Sequence, residues 1–170
     1  GAMFWTQGEA DNATALATYQ SALTQLAVDW DADTRAITGQ SEVVPLITYQ
    51  NASNASKNVA LAQLAAANAS ALIYMACPMY QFDYSDTQHV TADSSKWLGA
   101  YYGLVAKRVM VDGLEWSPVQ PVSNTRQGAI LTIKFTTPIR PLVLDTTAVP
   151  AQTNYGFSLT DSGGTPITIN

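Results

Sequence analysis

VVPLITYQNASNASKNVALAQLAAANASALIYMAC, residues 43–77, reads as a strand, a helix and a second strand in succession. The first run, Val43 to Tyr49, is apolar and β-branched, and Pro45 lies near its start, where a missing N–H is tolerated. Between about Ser56 and Asn68 the pattern KNVALAQLAAAN is alanine-rich, with Val59, Leu61, Leu64 and Ala65 apolar, and has strong helix propensity. Ala71 to Cys77 is an uninterrupted apolar run, the pattern of a strand covered on both faces, and Pro78 stops it.

Outward from this core the alternation continues. Upstream, residues 13–30 place Ala13, Leu16, Tyr19, Leu23, Leu26, Ala27 and Trp30 three and four apart, which predicts one apolar helix face, with Asp11 or Asn12 placed to cap it. A first strand ends near Trp5. Downstream, residues 78–92 form a polar and aromatic loop. Helical spacing returns from Ala92 to Val111 through Trp97, Leu98, Tyr101, Leu104, Val105, Val109 and Met110, with Asp93 or Ser94 as the cap and Asp112-Gly113 as the stop. Trp97, Tyr101 and Leu104 share a helical face, which assigns them to the core. Strand, helix, strand, helix, strand, loop and helix build an α/β unit on a parallel sheet, and ligands bind such sheets in the loops at the carboxyl ends of the strands.

From Glu115 the pattern changes. Pro118, Pro121, Pro138, Pro141, Pro150 and Pro166 punctuate short alternating runs at Ala129 to Phe135, Pro141 to Asp145, Tyr155 to Leu159 and Pro166 to Ile169, which predict a small antiparallel β unit. The boundary is expected between Gly113 and Pro121, giving units of 4–113 and 114–170. Gly1-Ala2-Met3 resembles the scar of a removed tag and is set aside. There is no repeat at a solenoid period and no low-complexity tract.

Composition narrows the function. The chain has 170 residues, 47% apolar, with 8 basic and 13 acidic side chains, one His and one Cys. That is enough apolar residue for a core, and a net charge of −5 supplies no basic footprint for nucleic acid. No run approaches the ~18 apolar residues of a membrane span. Cys77 alone cannot form an intramolecular disulfide, and at a strand end before Pro78 it reads as a small buried hydrophobe. One His cannot build a multi-His metal site. Asp29, Asp31 and Asp33 lack the glycine and distal glutamate of an EF-hand loop and read as a solvated turn. Sparse charge with abundant Ala, Thr, Ser, Asn and Tyr suits an extracellular or virion-associated protein.

Two segments carry chemistry. His89 follows Asp86 by three residues in Tyr84-Ser85-Asp86-Thr87-Gln88-His89, so the carboxylate can curl back to accept the Nδ1 proton and leave Nε2 as a general base. Tyr80, Phe82 and Tyr84 are expected to shelter the ring. The plain reading is a surface histidine beside a loop carboxylate. In Trp5-Thr6-Gln7-Gly8-Glu9-Ala10-Asp11, at the end of the first strand, the Gln7 amide can aim an N–H at a developing oxyanion, and Gly8 permits close approach to the backbone. The plain reading there is a capping turn with Glu9 or Asp11 favouring the helix N-terminus.

Together, Trp5-x-Gln7-Gly8-Glu9-x-Asp11 and the later Asp86-x-x-His89 resemble the second half of the SGNH (GDSL-like) hydrolase superfamily, in particular its sialate-esterase and acetyl-xylan-esterase-like carbohydrate esterases. The likeness spans roughly residues 4–110. It implies a three-layer α/β/α fold, His89 as base, Asp86 as its orienting partner and Gln7 as an oxyanion donor, with Trp5, Gly8, Glu9 and Asp11 shaping the site. It implies no metal or organic cofactor, and an acetylated polysaccharide as substrate. The β unit after Glu115 resembles the small C-terminal sandwich attached to such esterases in phage tail and cell-surface proteins.

The family's serine block, expected upstream of Trp5, and its middle glycine block are absent. Gly39-Gln40-Ser41 stands in the wrong order and is followed by Glu42, so a turn before the Val43 strand explains it. The chain therefore reads as the C-terminal portion of a serine carbohydrate O-acetylesterase, inactive alone, which associates with itself or with the missing N-terminal half through an unpaired sheet edge. The alternative is a non-catalytic attachment or structural module of a phage tail or cell-surface protein.

Overall fold

A computed structural model describes residues 1–53, 57–147 and 149–169. The first part is α/β. Strands β1 (Met3–Phe4), β2 (Leu46–Gln50) and β3 (Ile73–Pro78) form a parallel sheet in the order β1-β2-β3. The register pairs Met3 with Leu46, Phe4 with Ile47, and Leu46, Ile47 and Thr48 with Ile73, Tyr74 and Met75. Because β2 is central, Leu46, Ile47, Thr48 and Tyr49 are all fully buried, which accounts for its unbroken apolar run.

Successive side chains of β2 point to opposite faces, and helices α1 (Leu16–Thr38), α2 (Asn58–Ala69) and α3 (Ala92–Ala106) divide between them. Leu46 packs with Tyr19, Leu23 and Ala27 of α1 and with Val59, Ala62 and Ala66 of α2. Ile47 and Tyr49 pack with Leu98, Tyr102 and Val105 of α3, beside buried Cys77, whose thiol desolvation pushes up to about 12. The helix pattern expected from Ser56 begins, among the described residues, at Asn58; Ser56 lies outside them.

Several local expectations are corrected. Met3, set aside with Gly1 and Ala2, is a residue of β1. The first helix starts at Leu16 rather than Ala13, and Ala15 occupies its N-cap without a side-chain bond, because Asp11 and Asn12 are spent within the preceding turn. It runs past Trp30 to Thr38, where Gly39 ends it in the left-handed conformation (φ 70). Trp30 is exposed, and Asp31, expected in a solvated turn, is buried in the helix. Its Oδ1 accepts the Val44 N–H at 2.7 Å, which ties α1 to the approach of β2.

Thr91, not Asp93 or Ser94, caps α3, its Oγ1 accepting the Ser94 N–H at 3.2 Å. The buried face of α3 is Ser94, Leu98, Tyr102 and Val105, whereas Trp97 is 65% exposed and Leu104 is also outside. From Trp97 to Ala106 every position except Gly99 and Gly103 is apolar, so the pattern there allowed either rotation. Packing against β2 and β3 chose between them.

The C-terminal part is two separate antiparallel ladders: β4 (Pro121–Gln127) with β5 (Ile130–Phe135), and β6 (Leu159–Thr160) with β7 (Pro166–Ile167). The runs expected as strands at Pro141 to Asp145 and from Tyr155 are not strands. Pro138 and Pro141 supply no N–H to a ladder, and Asn154 and Tyr155 both take φ 53, a left-handed geometry no strand accommodates. Ahead of β4, Trp116 Nε1 donates to the Met75 carbonyl at 2.7 Å, and the Asn68 and Gln120 amides pair reciprocally at 3.0 Å.

Candidate active site

All three strands of the sheet run in one direction, so the segment after β1 and the loop after β3 emerge at the same, carboxyl end. The first holds Trp5 to Asp11 and the second holds Asp86 and His89. A weak charge effect links them: burial raises the pKa of Tyr84 and the Asp86 hydrogen bond raises that of His89, and in both the Glu9 carboxylate adds a smaller push in the same direction.

The His89 loop is built by its own backbone. Tyr84 and Val90 form an isolated antiparallel bridge, Ser85 N donates to the His89 carbonyl at 2.8 Å, and Thr91 N donates to the Asp83 carbonyl at 2.9 Å. Inside this hairpin Asp86 turns back on the chain. Its Oδ1 accepts the backbone N–H groups of Gln88 and His89, each at 2.7 Å, and its Oδ2 faces His89 Nδ1 at 2.8 Å. An ionised carboxylate can only accept, so the neutral imidazole keeps its proton on Nδ1 and presents the Nε2 lone pair outward. The two backbone N–H bonds, then the imidazole, hold the Asp86 carboxyl down at about 2. The bond from Asp86, then its charge, raises the pKa of His89, and Glu9 adds to the effect.

The expected aromatic shelter is not formed. The His89 side chain is 76% exposed and that of Asp86 55%, Tyr80 faces solvent, and only Phe82 and Tyr84 are partly covered. Phe82 instead packs edge-on against Tyr101, ring centroids 6.1 Å apart, and is drawn to α3 rather than to the imidazole.

The Gln7 block is rigid by contrast. Gly8 is buried at φ 142, a conformation side chains disfavour, and a Cβ there would lie 2.8 Å from Val59 Cγ1. Gln7 Nε2 donates to Asp11 Oδ2, and the Tyr19 hydroxyl lies 2.8 Å from Gln7 Oε1 and 2.9 Å from the Gln7 carbonyl. That carbonyl also accepts from Gln63 Nε2 at 3.0 Å, while Gln63 Oε1 accepts the Asn51 N–H at 2.7 Å. The amide plane of Gln7 is therefore fixed from both ends, with its second N–H the one available to a ligand. Trp5 is held through its carbonyl, which accepts from Thr48 Oγ1 at 3.1 Å and from the Tyr102 hydroxyl at 3.0 Å. The Tyr49 hydroxyl donates to Glu9 Oε1, and burial together with that carboxylate raises the Tyr49 pKa. Burial pushes Tyr19 up to about 12.

Trp5, Gln7, Asp11 and Tyr19, with Leu23 and Leu26 of α1, line a cavity of about 240 Å3. His89 is not among its lining residues and stands on an open rim. Tyr19, Tyr49, Gln63 and Tyr102, which position the Gln7 block, were missed in the sequence. Gln63 alone left a trace there, as a polar residue at a core position of an alanine-rich helix.

Ser41 is removed from the chemistry by topology. It precedes β2 at the amino end of the sheet, and its Oγ donates to Glu42 Oε1 at 3.1 Å. No group of three or more His, Cys, Asp or Glu placed to hold a metal occurs among the described residues, and no helix among them is long and apolar enough to cross a membrane. No protein-family model, curated protein or solved structure matches this chain.

Proposed function

We propose that residues 4–113 are the C-terminal part of an SGNH-type hydrolase domain and that 114–170 is a small β-sandwich unit appended to it. The activity is hydrolysis of O-acetyl esters on a polysaccharide. In this reading a serine from outside these residues attacks the acetyl carbonyl, His89 Nε2 takes its proton, and Asp86 steadies the imidazolium through Nδ1. The free N–H of the Gln7 amide donates to the oxyanion, while Trp5, Gly8, Glu9 and Asp11 keep that amide in place. The imidazolium returns that proton to the departing sugar oxygen as the ester C–O bond breaks, and the neutral imidazole then activates a water that hydrolyses the acyl-enzyme to acetate and free serine. The proton inventory closes on serine and His89, so the chemistry asks for no metal or organic cofactor.

The observation that carries the reading is the 2.8 Å contact of Asp86 Oδ2 with His89 Nδ1 at the sheet end that also receives Gln7. A base oriented by a carboxylate and an amide donor held by Asp11 and Tyr19 are the parts of an acyl-transfer site. In this reading the protein works outside the cell or on a virion, which its sparse charge supports. One observation favours the second reading, an attachment or structural module: His89 is open to solvent, where a base is least protected.

The test is p-nitrophenyl acetate hydrolysis by the protein extended upstream to include a Gly-Asp-Ser or Gly-Gln-Ser strand. Gln7→Ala is expected to lower kcat by about 100- to 1,000-fold, the effect of removing one oxyanion donor. His89→Ala should abolish turnover and Asp86→Asn should depress it strongly. Unchanged turnover in His89→Ala rejects the esterase and leaves the attachment module.

A further inference from the structure

Residues 121–147 and 149–169 contain no buried side chain. Large apolar residues are spread through them in the open, among them Val122 (58% exposed), Ile130 (68%), Val143 (68%) and Tyr155 (74%). The chain as a whole exposes 11046 Å2. A folded monomer of this mass exposes about 8,100 Å2, so about 2,900 Å2 is in excess. Isolated two-stranded ladders of this kind do not persist in water, because ordering the backbone is not offset by burial.

We propose that residues 121–169 are the surface through which copies of this chain assemble into a homo-oligomer. The area fits: obligate assemblies bury from about 1,000 Å2 to more than 2,500 Å2 on each partner, so the excess surface is what one chain would contribute to such a contact. Charge selects this half of the molecule for a like partner. Arg126, Lys134 and Arg140 stand against Asp145 and Asp161 here, whereas the remaining five of the eight basic and eleven of the thirteen acidic side chains lie in residues 1–120. The acidic part repels its own copy; the nearly neutral C-terminal part does not. Geometry allows it as well. Both ladders have only two strands, so every strand has an unpaired edge, and an antiparallel edge pairs with its own copy about a two-fold axis. Leu131, Ile133 and Phe135 fall on one face of β5, and Phe135 is already backed by Phe157 at 6.3 Å, which leaves the outer side of that apolar row for a neighbour.

Sedimentation velocity on the whole chain tests this. The chain is expected to sediment as an oligomer throughout the micromolar range, and Leu131→Glu combined with Val143→Glu to convert it to a monomer with an unchanged circular-dichroism spectrum. Phe4→Glu, at the free edge of β1, should leave the oligomer intact. A monomeric wild type overturns the proposal. So does an oligomer that Phe4→Glu dissociates and the C-terminal pair does not, since association would then run through the parallel sheet. Should the double variant not fold, amide exchange on the wild type decides: protection across residues 122–135 must rise with protein concentration, and concentration-independent protection there refutes the interface.

Discussion

Gly8→Ala probes the part of the site that is most tightly built. Gly8 is buried at φ 142 and ψ −16, and the added methyl would meet Val59 Cγ1 at 2.8 Å, Gln63 Nε2 at 3.1 Å and the Tyr19 hydroxyl at 3.2 Å. None of the three can retreat freely: Val59 and Gln63 are fully buried and Tyr19 is 7% exposed. Holding alanine in that backbone region costs about 1–3 kcal/mol. Overpacking adds about 1–3 kcal/mol, and the stiffer unfolded chain returns about 0.4–1 kcal/mol. A net loss of about 1–6 kcal/mol follows, and its middle value of about 3 kcal/mol lowers Tm by roughly 10 °C in a chain of this size. Urea unfolding followed by circular dichroism measures it. Val59→Ala removes the nearest obstruction, so the double variant should be more stable than the sum of the two single losses by about 1 kcal/mol. A Gly8→Ala midpoint equal to wild type, or strict additivity in the double variant, refutes the reasoning.

Gln63→Leu keeps the volume but leaves the buried Asn51 N–H without its acceptor and takes a donor from the Gln7 carbonyl, an expected loss of about 2–4 kcal/mol by chemical denaturation. Asp31→Ala strands the Val44 N–H and should cost about 1–3 kcal/mol, whereas Asp33→Ala, on the exposed side of the same helix, should stay within about 0.5 kcal/mol of wild type. His89 is the one histidine, so its imidazole resonance can be titrated by NMR without assignment. Its midpoint should lie above the ordinary ~6.5 and fall back in Asp86→Asn. If His89 is the base of the proposed esterase, activity of the upstream-extended protein should rise with pH through that elevated midpoint, because the base works only when neutral, and the acid limb should move to lower pH in Asp86→Asn. A midpoint in Asp86→Asn equal to that of wild type removes the carboxylate as the cause.

The order of strands and helices over residues 43–106 was legible because each element carries its own signal: a continuous apolar run for the buried strands β2 and β3, and alanine-rich spacing for α2. The contact of Asp86 with His89 was legible for the same reason, since three residues of chain bring carboxylate and imidazole together without help from the fold. What tertiary structure alone decided concerns residues whose local pattern is degenerate. Which face of α3 turned inward depended on β2 and β3, because both Trp97 and Leu98 are apolar and only one side meets the sheet. Asp31 became a buried clamp because α1 passes the approach to β2, a contact with Val44 thirteen residues further on that no local pattern announces. The locking of Gln7 by Tyr19 and Gln63 belongs to the same class: a hydroxyl and an amide from two helices converge on one carbonyl only after the sheet has aligned them. Sequence thus determined the interactions that act along the chain, and packing determined those that act across it.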